Sequence, residues 1–88
     1  MKNNTFPGAR FVCADRLNNS ANGNPRYFVR FETLDGERIG GKTATDSMAG
    51  YSVRNWERFG RATVRAHVTK AGRVIIDYIA DFTEESAQ

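Results

Sequence analysis

The chain reads as mainly β: a small five-stranded antiparallel barrel, ordered β-β-β-α-β-β, with one short helix between the third and fourth strands. Three observations predict this. Apolar residues recur with a period of two in five short stretches. Glycine, asparagine and Asp-Gly signals separate those stretches. Only from Asp46 to Gly60 does the period become helical. The 88 residues leave room for a single domain. A chain of this size buries only about 60% of its unfolded surface, so its core is small and each large apolar side chain matters.

Residues 1–8 read as a flexible leader, 9–82 as the single barrel domain and 83–88 as a disordered polar tail. In the first strand, Ala9 to Leu17, Phe11, Cys13 and Leu17 alternate against Arg10 and Arg16, which predicts an inward, inert thiol at Cys13. Asp15, on the apolar side near the end, is a candidate functional acid, though such a residue more often marks where the strand leaves the core. Residues 18–25, rich in Asn and Gly, predict an exposed, mobile loop. The second strand begins at Arg26, with Tyr27, Val29 and Phe31 inward and Arg26, Phe28, Arg30 and Glu32 outward. Asp35-Gly36 then supplies a tight hairpin turn. The return strand runs from Glu37 to about Thr45, and its Gly40-Gly41 pair suggests a bulge or a sharp bend.

On a helical wheel Met48, Ala49, Val53, Trp56 and Phe59 fall within an arc of about 140°, with Tyr51 on its margin. Asp46 or Ser47 suits the cap, Gly60 suits the stop, and Gly50 weakens the first turn enough to delay the start to Ser52. In the fourth strand Ala62, Val64, Ala66 and Val68 alternate against Thr63, Arg65, His67 and Thr69. After a Lys70–Arg73 turn, Val74, Ile76, Tyr78, Ala80 and Phe82 alternate against Ile75, Asp77, Ile79 and Asp81.

Composition narrows the function classes. One cysteine forbids an internal disulfide and fits a reducing compartment. No stretch approaches the ~18 apolar residues of a membrane span, and the first residues lack a signal peptide's apolar core, so the expectation is a cytoplasmic protein. Residues 1–80 hold all 13 basic side chains, ten of them Arg, and seven of the ten acidic ones. Such a body favours polyanionic partners, and arginine suits phosphate forks and base stacking. A lone histidine, His67, cannot supply a metal cluster or a Ser-His-Asp set. No enzyme activity, cofactor or metal is expected.

Gly36-Glu37-Arg38-Ile39-Gly40-Gly41-Lys42-Thr43 matches the phosphate-loop pattern letter for letter, and Val74-Ile75-Ile76-Asp77 resembles a metal-binding strand end. Context rejects the match. A phosphate loop needs a buried parallel strand before it and a helix directly after it, whereas Asp35-Gly36 is a hairpin signal and Thr43–Ser47 are poor helix formers.

The element order over Ala9–Phe82 resembles the OB-fold, a small partly open barrel. That resemblance lies in the order alone, without a diagnostic motif. The stretch Arg61–Tyr78, with its Val-Thr-Lys-Ala-Gly-Arg-Val turn, is similar to small proteins of phages and mobile elements. An SH3-like barrel, or an open sheet packed on one helix, fits the same pattern. The leading functional reading is binding of single-stranded DNA or RNA on the outward row Arg26, Phe28 and Arg30, joined by Arg38 and Lys42 of the third strand. The OB resemblance adds the loops after strands one and four, hence Asn22, Asn24, Lys70 and Arg73. Arg54, Arg58 and Arg61 form a second basic group at the helix end, where the helix dipole favours cations anyway. The rival reading is a protein-interaction module, a phage or mobile-element inhibitor or accessory factor, anchored by Tyr51, Trp56 or Phe28.

Overall fold

The computed structural model describes residues 2–45 and 47–84. Its elements are β1 (Lys2–Leu17), β2 (Arg26–Glu32), β3 (Arg38–Thr43), α1 (Ala49–Phe59), β4 (Gly60–Val68) and β5 (Val74–Glu84). The chain is mainly β, with one helix between β3 and β4. The strands pair in the closed order β1-β2-β3-β5-β4, β1 bonding to both β2 and β4. One pair corrects the all-antiparallel expectation: β3 and β5 run parallel, Lys42 opposite Ile75 and Thr43 opposite Ile76. Hairpin neighbours must be antiparallel, but α1 and β4 intervene here and return the chain in β3's direction.

Strand β1 includes residues 2–8, which were expected as a leader. It pairs with β4 through Lys2–Arg10 and with β2 through Arg10–Leu17. Its first half thus serves β4 and its second half β2, a hand-over that in a closed ring goes with a bend, and β1 has two irregularities: Phe6/Ala9, spanning Pro7-Gly8, and Phe11/Cys13, spanning Val12. An extra residue bends its strand and raises the local twist. Phe6 holds this segment in place by packing on Phe31, with ring centroids 5.6 Å apart. The bulge at Val12 also resets the side-chain alternation. Cys13 and Asp15 therefore lie outward and exposed, opposite Arg30 and Phe28, contrary to the uninterrupted alternation read from the sequence.

Three connections share one turn, written Ser/Thr-x-x-Gly-x in the sequence: Ser20–Asn24, Thr33–Glu37 and Thr69–Arg73. In each, the first residue's N–H donates to the fifth residue's carbonyl, at 2.9, 2.8 and 2.9 Å. The first residue's hydroxyl accepts from the fifth residue's N–H at 3.1, 3.1 and 3.2 Å. The glycines hold φ of +85°, +87° and +83°, which a Cβ would strain. The second turn is thus a three-residue loop ending in a left-handed glycine, not a two-residue turn at Asp35-Gly36. The first organises the loop expected to be mobile: Ser20 is buried, and Asn24 Oδ1 accepts from the Tyr51 hydroxyl at 2.9 Å.

The core inside the ring comprises Ala9, Val29, Phe31, Ala62, Val64, Ala66, Ile76 and Ile79, with Ala49, Val53 and Trp56 of α1 packed on it. Trp56 is fully buried between Phe31 (5.3 Å) and Phe11 (5.7 Å). Its indole N–H donates to the Ala9 carbonyl at 3.0 Å. It therefore supports the core and cannot serve as the docking anchor of the rival reading. Two other members of the expected helical face are exposed: Met48, and Phe59, which stacks on Phe82 at 5.9 Å. The helix starts ahead of Ser52, because the Ser47 hydroxyl accepts from Ala49 N–H and Met48 carbonyl accepts from Tyr51 and Ser52. The alternative cap Asp46, and tail residues 85–88, lie outside the described residues; Thr83 and Glu84 belong to β5. In β5 the register shifts so that Asp77 is the extra residue, which buries both Ile76 and Ile79 and turns Tyr78 outward beneath Arg65.

Candidate functional site

The alternation in β2 holds as read: Val29 and Phe31 are buried, while Arg26, Phe28 and Arg30 occupy the other face. The three-residue turn sets which β3 residues join them. Phe28 lies opposite Lys42, Arg30 opposite Gly40 and Glu32 opposite Arg38. A two-residue turn would shift the pairing by one and send Lys42 to the opposite face. Gly40 then lets the Phe28 ring lie down on β3, since a Cβ there would stand 2.8 Å from Phe28 Cζ. Gly41 does the same for β5, where a Cβ would meet Val74 Cγ1 at 2.8 Å. Close approach, not phosphate cradling, is the local role of these glycines. The Thr43 hydroxyl of the same motif is buried and accepts from the Tyr27 N–H at 3.1 Å.

The result is a groove of about 510 Å³ between β2, β3 and the β4–β5 turn. Phe28, Arg26, Lys42 and Arg73 line it, with Ile75 and the two glycines beneath. Among the described residues, no acidic side chain lines it beside its three cations. Arg26 carries a buried Nε with no hydrogen-bond partner among the described residues, a donor that an entering oxyanion would satisfy. The Arg30 guanidinium lies over the Phe28 ring, 5.1 Å from its centroid, in a cation–π contact that an incoming base would join or displace. A second groove of similar size lies between α1 and β1, but Glu57 there opposes Arg16 and Arg54.

Three of the seven residues read as a binding face lie outside the groove lining: Arg30, which sits over the Phe28 ring, and two that stand apart from it. Arg38 is at the far end of the row, 4.0 Å from Glu32, which also accepts from Arg10 at 2.8 Å. The hydrogen bond from Arg10 holds the Glu32 carboxyl below its ordinary pKa, so this end of the row is charge-compensated. Lys70 is exposed on the β4–β5 turn outside the groove lining. The second basic group also divides: Arg61 donates to the Gly8 carbonyl at 2.8 Å, and Arg54 faces the α1 groove. His67 Nδ1 pairs with Asp77 Oδ2 at 2.6 Å, away from the cationic groove.

Sequence reasoning missed Asp15 and Cys13 as members of this outward face. No signal at Val12 announces the bulge that puts them there. Their exposure has a direct check. The folded chain is expected to give one equivalent of rapid thiol reaction with a disulfide reagent at neutral pH, as an accessible cysteine does. If denaturant is needed before Cys13 reacts, the bulge and the outward face of β1 are misplaced.

No curated protein and no solved structure matches the chain. Residues 8–81, most of the chain and every element of the ring, match the model of the family described as Staphylococcus phage terminal repeat-encoded protein TreK, and the chain belongs to that family.

Proposed function

We propose that this phage-family protein binds single-stranded nucleic acid in the groove beside Phe28, on a ring of OB type. One observation carries the reading: Arg26, Lys42 and Arg73, from three separate segments, surround an outward aromatic in one groove, with no acid on its lining among the described residues. Bases stack on rings and guanidinium planes for about 1–3 kcal/mol each, while cations track the phosphates. The closed strand order, the parallel β3–β5 pair and the helix between β3 and β4 support the OB comparison, in which this face and its flanking loops form the usual groove.

The test is fluorescence anisotropy with labelled single-stranded DNA, RNA and duplex DNA at several salt concentrations. Three or four phosphate contacts predict a slope of log affinity against log salt of about −2 to −3 for single strands. Phe28→Ala is expected to weaken single-strand binding about tenfold or more while the circular dichroism spectrum is retained. If no probe binds at low salt, the reading is dropped.

A second reading follows from family membership: a phage accessory protein that docks on another protein. Met48 and Tyr51, both exposed at the start of α1, would be its anchors. Partner capture that persists at high salt and survives Phe28→Ala but not Tyr51→Ala favours it.

A further inference from the structure

Across β1, β2 and β3 the central row of the outward face reads Asp15, Phe28, Lys42, each directly opposite the next. The row is polar in one direction. On the Lys42 side lies the cationic groove with Arg26 and Arg73. On the other side stands Asp15, exposed, outside the groove lining and without an ion-pair partner among the described residues. Adjacent strands lie about 4.8 Å apart, so Asp15 and Lys42 flank the Phe28 position from its two sides, roughly 10 Å apart along the row. A carboxylate repels phosphate. Its position beside the stacking ring therefore suits the base's hydrogen-bonding edge rather than the backbone.

We propose that Asp15 reads the base stacked on Phe28, accepting a hydrogen bond from an exocyclic amino group and so favouring cytosine, adenine and guanine, which carry one, over thymine and uracil, which do not. The proposal rests on the nucleic-acid reading of the groove and deepens it. A carboxylate is acceptor-only at neutral pH. Cytosine offers it the N4 amino group, whereas thymine and uracil present a carbonyl oxygen at the same position. Asp15 thus contributes an attraction to one pyrimidine and a repulsion to the other, the two halves of a specificity device.

Cytosine and thymine share the pyrimidine ring and differ most at the position concerned, which makes them the cleanest probes. Labelled oligodeoxycytidine and oligodeoxythymidine of equal length are titrated above neutral pH, where cytosine is unprotonated, with wild type and Asp15→Asn. Wild type is expected to prefer the cytidine strand about fivefold, the low end of discrimination for a well-placed base contact. Asp15→Asn, whose amide both donates and accepts, is expected to bind the thymidine strand more tightly and bring the ratio near one. Oligocytidylate and oligouridylate are expected to show the same ordering, because the contact is to the base and not the sugar. An equal gain for both strands in the variant overturns the proposal, since it shows Asp15 acting only as a repelling charge. A wild type without preference overturns it too, and in both cases the groove reading stands. Failure of every strand to bind sinks both.

Discussion

Trp56→Ala is expected to leave the domain largely unfolded or close to it at ambient temperature. Truncating a fully buried aromatic costs about 3–5 kcal/mol. The Ala9 carbonyl would also lose its indole partner, for about a further 1 kcal/mol. A chain of this length has in total about 5–13 kcal/mol to lose. The loss falls where it matters most, because Trp56 joins Phe11 of β1 and Phe31 of β2 to the helix. Urea unfolding followed by circular dichroism measures it. Trp56→Phe keeps most of the bulk and is expected to cost only about 1–2 kcal/mol, chiefly for the unpaired carbonyl. In the wild type the sole tryptophan should emit as a buried indole and resist quenching by acrylamide. Unchanged stability in Trp56→Ala would mean that α1 does not pack on the core through Trp56.

Gly50→Ala is expected to lower stability, against the sign that helix propensity alone predicts. In a helix interior alanine is favoured over glycine by about 1 kcal/mol. At Gly50 an added Cβ would stand 2.0 Å from the Pro25 carbonyl oxygen and 2.9 Å from its carbon. Both are backbone atoms, so either α1 or the chain entering β2 must move. Overpacking of this kind costs about 1–3 kcal/mol or more and outweighs the propensity gain. A net loss of about 1–2 kcal/mol lowers the thermal midpoint by roughly 5–15 °C in a domain of this size. Asn55→Ala, at an exposed position of the same helix, is the control and is expected to stabilise slightly. Because Pro25 precedes Arg26, the shift reaches the cationic groove, so Gly50→Ala is also expected to weaken oligonucleotide binding. A stabilised Gly50→Ala would show that the helix does not pack against Pro25 as described.

Glycine 50 also shows how the sequence misleads when read locally. Its position in the first helical turn argued for a later start, because propensity counts only the entropy that glycine loses. The approach of Pro25, remote in sequence, supplies the opposite reason for a glycine there. Bulges escaped for a similar cause. Period-two alternation is reliable only while each strand residue opposes one partner, and Val12 and Asp77 each break that count. Past Val12, Cys13 and Asp15 change face; past Asp77, Tyr78 turns to solvent and Ile79 to the core. Phe6 was read with the leader, yet it lies in β1, and Pro7-Gly8 sits at an irregularity within the β1–β4 pairing.

Local chemistry alone determined the five strands, the helix between the third and fourth, and the inward row Val29 and Phe31 opposite Phe28 and Arg30. Alternation, helical period and glycine-bearing turns are properties of neighbouring residues, and they survive folding wherever no bulge interrupts the count, as in β2. Only the tertiary structure decided the parallel β3–β5 pair, the bulges, and the convergence of Arg26, Lys42 and Arg73 while Arg38 and Lys70 stand apart. Those features depend on which distant strands meet and in what register. Register is settled by the packing of the whole ring around Trp56 and Phe31, which no single stretch of the chain contains.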